Sequence, residues 1–222
     1  QPPRATINPI ADSCGPVSIN PSALIDSCAP ASSTLTYAWS FPGGVPATAT
    51  TANPGNVSYA IPGTYTVSLT VTNECGASAV STRTFTVKPI PELTTTPLSQ
   101  VICSGSQTSL VNLTSDLAGA TFSWMATASS GVTGFLASGN GNTIPVQTIF
   151  TTGTVAGTVT YAIVTSLNGC SSLPVNYVVT VNPSPFFTSQ PIPSTVCQNG
   201  TPNSLTFTLN TASGAPTYQW YS

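Results

Sequence analysis

Six cysteines carry most of the covalent chemistry open to this sequence: Cys14, Cys28, Cys75, Cys103, Cys170 and Cys197. Other reactive side chains are sparse. There is no histidine, so neither a Ser-His-Asp nor a Cys-His arrangement can be assembled. Lys88 is the single lysine, and no Ser-x-x-Lys pattern accompanies it. The five acids, Asp12, Asp26, Glu74, Glu92 and Asp116, are too dispersed to suggest a glycosidase pair. Asp26 and Glu74 flank the loops of Cys28 and Cys75, yet calcium takes about 6–8 oxygen ligands, so they read as solvated loop acids. No glycine-rich phosphate loop follows a strand and opens a helix. The chain therefore reads as non-enzymatic, with no catalytic residue, cofactor or metal.

The cysteines lie far apart, without a Cys-x-x-Cys pair, which argues against a metal knuckle. Disulfides formed in an oxidising extracellular compartment are the expected chemistry. The elements around them must therefore bring distant cysteines together.

Composition sets the frame for those elements. Of the 222 residues, 40% are hydrophobic, enough for a buried core. Charged residues make up only 4%, where about 25% is usual. Ser, Thr, Asn and Gln take their place. Disorder is not expected, because it accompanies low hydrophobicity and high net charge, and the net charge here is −2. Three basic residues, Arg4, Arg83 and Lys88, cannot neutralise a nucleic-acid backbone or form a polybasic membrane patch. No apolar run approaches the ~20 residues of a membrane-spanning helix. The chain opens Gln1-Pro2-Pro3 and ends within a strand-like run, so both ends read as cut, with any signal or anchor expected outside them.

Repetition organises the chain. An aromatic-x-Trp pair occurs as Tyr37-Ala38-Trp39, Phe122-Ser123-Trp124 and Tyr218-Gln219-Trp220. Cys14, Cys103 and Cys197 precede these pairs at a period of roughly 90 residues. Val87-Lys88-Pro89-Ile90-Pro91 and Val181-Asn182-Pro183-Ser184-Pro185 read as stiff joints. The expected modules are 1–89, 90–183 and a truncated third at 184–222. Within them the apolar period is two, as in Leu35, Tyr37, Trp39 and Phe41, or Val159, Tyr161 and Ile163. Gly-, Pro- and Asn-rich clusters such as Pro42-Gly43-Gly44 and Asn168-Gly169 bound these runs. Alternation with frequent turns implies all-β, tandem antiparallel immunoglobulin-like sandwiches in an elongated array. Trp39, Trp124 and Trp220 are expected as core anchors rather than sugar-stacking platforms. The sequons at Asn56, Asn112 and Asn199 read as unmodified asparagines.

Tyr37-Ala38-Trp39-Ser40-Phe41-Pro42-Gly43-Gly44 and Pro62-Gly63-Thr64-Tyr65-Thr66-Val67-Ser68-Leu69 resemble a polycystic-kidney-disease (PKD) domain. The acids that many members carry in the Trp-x-Phe-Gly stretch are Ser40 and Gly43 here. The second module, with Ile102-Cys103-Ser104-Gly105 and Asn168-Gly169-Cys170-Ser171, resembles a PKD-like or immunoglobulin-like relative. Strings of such modules resemble giant Bacteroidetes surface adhesins exported by type IX secretion. The resemblance implies an extracellular shaft on a bacterial cell surface, serving adhesion or gliding motility. The alternative is a carbohydrate- or protein-binding module, or an accessory domain of a secreted hydrolase.

Sandwich topology narrows the disulfides. The loop of Cys28 and the turn of Cys75 share one end of a module, which pairs them. For Cys170 two pairings stay open: Cys14, joining consecutive modules, or Cys103 within one module. Cys197 lacks its partner in the residues read. The expected partners are neighbouring repeats, with a polysaccharide or host ligand elsewhere in the full protein, and lateral self-association as a candidate because open sheet edges lack lysine gatekeepers.

Overall fold

The computed structural model describes residues 1–27, 34–193, 195–201, 204 and 206–209. Among these the chain is all-β, with no helix. The strands of the first part are β1 (Arg4–Ile7), β2 (Ser13–Cys14), β3 (Val17–Ile19), β4 (Ala23–Asp26), β5 (Thr36–Ser40), β6 (Thr48–Ala49), β7 (Val57–Tyr59), β8 (Gly63–Asn73), β9 (Gly76–Ala77) and β10 (Ser81–Lys88). Those that follow are β11 (Ser99–Cys103), β12 (Val111–Asn112), β13 (Thr121–Ala128), β14 (Val132–Thr133), β15 (Ser138–Asn140), β16 (Thr143–Ile144), β17 (Phe150–Thr151), β18 (Gly157–Leu167), β19 (Cys170–Ser171), β20 (Val175–Asn182), β21 (Phe187–Ser189) and β22 (Thr208–Leu209).

Two compact units divide the chain. Unit one comprises Gln1–Pro91 with Leu167–Ser171, and unit two comprises Glu92–Ser166 with Ser172–Ser222.

In unit one the main sheet runs β2-β10-β8-β5-β6, with β9 on β8. The pairs β1–β4 and β3–β7 lie outside that sheet. The eleven-residue β8 is central, and alternation explains why: Val67, Leu69 and Val71 are fully buried while intervening threonines and serines are not. Trp39 on β5 lies opposite Leu69 in the register. Ile7, Ile19, Val57, Tyr59 and Phe85 close the same core.

Unit two repeats the plan. Its main sheet runs β11-β20-β18-β13-β15, and β12–β16 and β14–β17 form the smaller pairs. Val159, Tyr161 and Ile163 of the eleven-residue β18 are buried against Trp124, Ile144, Ile149 and Val179. The Trp124 ring meets Tyr161 edge-on at 5.4 Å. Gly139 is opposite Trp124 on β15, where a Cβ would stand 2.3 Å from the indole, so glycine alone leaves room.

Among the described residues, pairing is antiparallel apart from one edge of each main sheet, where β2 runs parallel to β10 and β11 to β20. Alternation could not reveal this, because β2 has only two residues. In the residues expected to open a third module, β21 pairs with β22, and Phe187 packs edge-on against Phe207 at 5.5 Å.

Two buried phenols differ in their partners. Tyr161 Oη donates to Gln147 Oε1 at 3.0 Å, whereas Tyr59 Oη is buried without a hydrogen-bond partner. Burial raises both pKa values above the ordinary 10.0, with Tyr65 adding to the effect at Tyr59 and the Gln147 bond opposing it at Tyr161. A folded pKa above the unfolded one means this contribution is complete below the unfolded value and is lost as pH rises through the folded value. Tyr59→Phe is therefore expected to raise stability by about 1 kcal/mol in urea titrations and to blunt the alkaline loss. Tyr161→Phe should lower stability by about 1 kcal/mol, because it strips a hydrogen bond.

Candidate functional site: the Cys14–Cys170 corner

The disulfide joins Cys14 to Cys170, with Cα atoms 5.5 Å apart and 156 positions of sequence separation. Both cysteines lie in unit one, because Leu167–Ser171 packs with it. Two local devices hold them in place.

On one side, β2 ends at Cys14, in register with Lys88 at the end of β10. Gly15 N–H donates to the Lys88 carbonyl at 2.8 Å. Gly15 has a φ of 68°, and a Cβ there would meet Ile90 Cδ1 at 2.8 Å. Asp12 fixes the approach, its carboxylate accepting the Thr86 N–H at 2.8 Å. On the other side, Asn168 and Gly169 form a two-residue turn with φ values of 51° and 84°. Asn-Gly suits such a turn because both positions need positive φ. Lys88 Nζ donates to the Asn168 carbonyl at 3.4 Å, and Cys14 Sγ lies 3.8 Å from the Gly169 carbonyl oxygen. A bonded sulfur carries no proton, so that last approach is a packing contact.

The alternative pairing, Cys103 with Cys170, does not form. Cys103 is in register with Asn182, and Val181 with Gly157, so Cys103 belongs beside the first residue of β18. Cys170 follows the last residue of that eleven-residue strand. Ten strand steps separate the two by roughly 33 Å, far beyond disulfide reach.

Of the remaining cysteines, Cys75, Cys103 and Cys197 are exposed and form no disulfide among the described residues. Cys28, expected to pair with Cys75, lies outside the described residues, as does Trp220. Trp39 and Trp124 are buried, 2% and 3% exposed. Trp39 Nε1 donates to the Thr51 carbonyl at 3.1 Å, whereas Trp124 Nε1 has no partner. Neither ring offers a face to a sugar.

The dispersed acids have local roles that spacing did not signal. Asp116 accepts the Glu92 N–H at 2.7 Å and the Ser115 hydroxyl at 3.1 Å. The Glu92 bond leads in holding its carboxyl below the usual range. No group of three or more metal-ligating side chains gathers among the described residues. No helix of the described residues is long and apolar enough to cross a membrane.

Residues 2–89 match the PKD domain family, and residues 100–185 match the PKD-like domain family. No curated protein matches the chain. Solved structures that align with the chain include a three-immunoglobulin-domain structure of a titin variant, at 15% identity and TM-score 0.40, covering 86% of this chain and 70% of that one. Immunoglobulin domains 1–5 of Sidekick-1 align at 13% identity and TM-score 0.40, covering 86% of this chain and 42% of that one. A segment of human CDH23 aligns at 15% identity and TM-score 0.34, covering 93% and 80%.

Removing the disulfide with Cys14→Ser and Cys170→Ser is expected to cost unit one about 2–4 kcal/mol, read by urea denaturation. In the native chain Cys14 and Cys170 should resist iodoacetamide until reductant is added. Cys103 and Cys197 should react without it.

Proposed function

We propose that these tandem PKD-type and immunoglobulin-like repeats form a structural segment, a stalk or shaft, of a large secreted bacterial surface adhesin. In this reading the segment supports adhesion or gliding motility in a type IX-secreted protein of Bacteroidetes type. The observation that carries it is the covalent closure of unit one across 156 positions of sequence, since a disulfide cannot be extended by pulling. Two PKD-type family matches and the burial of both described indoles agree with it. A secreted or surface location follows from the disulfide, which persists outside reducing compartments. The expected modules at 1–89, 90–183 and 184–222 are the repeating units of this segment.

The pairing of Cys28 with Cys75 belongs to the same proposal. Its support is the Asn73 side chain, which donates to the Ser27 carbonyl at 3.0 Å while its Oδ1 accepts the Cys75 N–H at 2.8 Å. The residue before Cys28 is thereby tied to the turn that carries Cys75. Non-reducing peptide mapping should recover a linked Cys28–Cys75 peptide. Two separately alkylated peptides would exclude the bond.

Single-molecule pulling tests the mechanical reading. The oxidised chain should keep the interval between Cys14 and Cys170 from extending. Reduction should then release about 156 residues, roughly 560 Å at ~3.6 Å each. An equal contour length in both states would remove the basis for a load-bearing role. Retention on surface polysaccharides, abolished by substitutions at exposed aromatic residues, would favour the binding-module alternative instead.

A further inference from the structure

The two main sheets place their first cysteines at equivalent points, residue for residue. In unit one Cys14 pairs with Lys88, and Val87 with Gly63, the first residue of β8. In unit two Cys103 pairs with Asn182, and Val181 with Gly157, the first residue of β18. The hydrogen bond that follows is also shared: Gly15 N–H donates to the Lys88 carbonyl at 2.8 Å, and Ser104 N–H to the Asn182 carbonyl at 2.8 Å.

The far ends of the central strands correspond as well. Ser78 donates its N–H to the Val71 carbonyl and accepts the Val71 N–H on its hydroxyl. Ser172 makes the same two bonds with Thr165. Each hairpin thus carries one cysteine, Cys75 within its turn and Cys170 directly after its turn on β19. In both sheets an eleven-residue strand separates that cysteine from the one beside the strand's first residue.

Cys14 is bonded to Cys170, the cysteine of the β18–β19 hairpin. Cys103 occupies the equivalent position, is exposed, and has no disulfide among the described residues. We propose that Cys103 is a second staple, positioned to bond the hairpin cysteine of another PKD-type domain, as Cys14 bonds Cys170. This deepens the repeat-segment reading and rests on it.

A related turn recurs at Cys197. Ser106 N–H donates to the Cys103 carbonyl at 3.0 Å with Gly105 at φ 82°. Gly200 N–H donates to the Cys197 carbonyl at 2.8 Å with Asn199 at φ 65°. The turn after Cys197 thus matches the turn after Cys103.

The chemistry is thiol–disulfide exchange. One cysteine thiolate attacks a small disulfide such as oxidised glutathione, forming a mixed disulfide and expelling one glutathione thiolate. The second cysteine thiolate then attacks the protein sulfur and expels the other. Two cysteine thiols are oxidised, and one glutathione disulfide is reduced to two thiols.

The chain itself can supply the partner. Cys14→Ser frees the Cys170 hairpin, so a second copy can offer it to Cys103. In a glutathione redox buffer this variant should form disulfide-linked dimers and longer ladders, with Cys103–Cys170 as the dominant linkage between copies. Cys14→Ser with Cys103→Ser should lose that ladder. A second measurement needs no substitution: wild-type chain, light and heavy isotope-labelled, is reduced and reoxidised at rising concentration. Mixed-label Cys103–Cys170 peptides should increase with concentration. The proposal is overturned if both experiments lack that linkage, or if Cys103 bonds Cys75, Cys170 and Cys197 without preference. Neither result bears on polysaccharide retention, so the functional reading is judged separately.

Discussion

Burial of one face of an eleven-residue central strand is the constraint on which each unit depends. Val67, Leu69 and Val71 in β8, and Val159, Tyr161 and Ile163 in β18, are each at most 1% exposed. A one-residue slip would turn each of these sets out to solvent, so the register has almost no freedom. The neighbours inherit that register. Trp39 falls opposite Leu69, and Trp124 opposite Ile163, so the two indoles enter their cores at matching places. Little else could select the register, because charge is carried by only 4% of residues.

The same strand sets the geometry of the cysteines. Its first residue lies beside the parallel edge pair, where Cys14 or Cys103 sits, and its last residue leads into the hairpin of Cys75 or Cys170. Eleven residues of extended chain hold those ends roughly 33 Å apart. A bond from one end of a sheet to the other is therefore closed to both units. The cysteines at these positions need a partner from another segment, and in unit one Leu167–Ser171 supplies it.

Much of this was legible in the sequence because its signals repeat. The period-two runs marked the central strands, and the spaced aromatic-x-Trp pairs marked their neighbours on β5 and β13. Sandwich topology reduced the partners of Cys170 to two, and strand length decides between them. The parallel edge was not legible, since a strand as short as Ser13–Cys14 has no periodicity to read. Nor were the roles of Asp12 and Asp116. A lone carboxylate that accepts one backbone N–H leaves no spacing pattern, and its role appears only when the chain returns from about seventy residues away in the first case, or about twenty in the second.

Sparse charge also changes which interactions matter. An exposed ion pair contributes about 0–1 kcal/mol, and few charges are available to make one. A long-range disulfide contributes about 2–4 kcal/mol and is unaffected by salt. For a chain with three basic and five acidic side chains, one covalent bond outweighs any surface network those charges could form. The pH response shifts in the same direction. On the acid side, Asp116 has its carboxyl held low by the Glu92 N–H, so its contribution is present above the unfolded pKa and fades as pH falls through the folded value. On the alkaline side, buried phenols at Tyr59, Tyr161 and Tyr177 titrate above their ordinary range. A fold so arranged depends on its core, its backbone ladders and its redox state more than on salt.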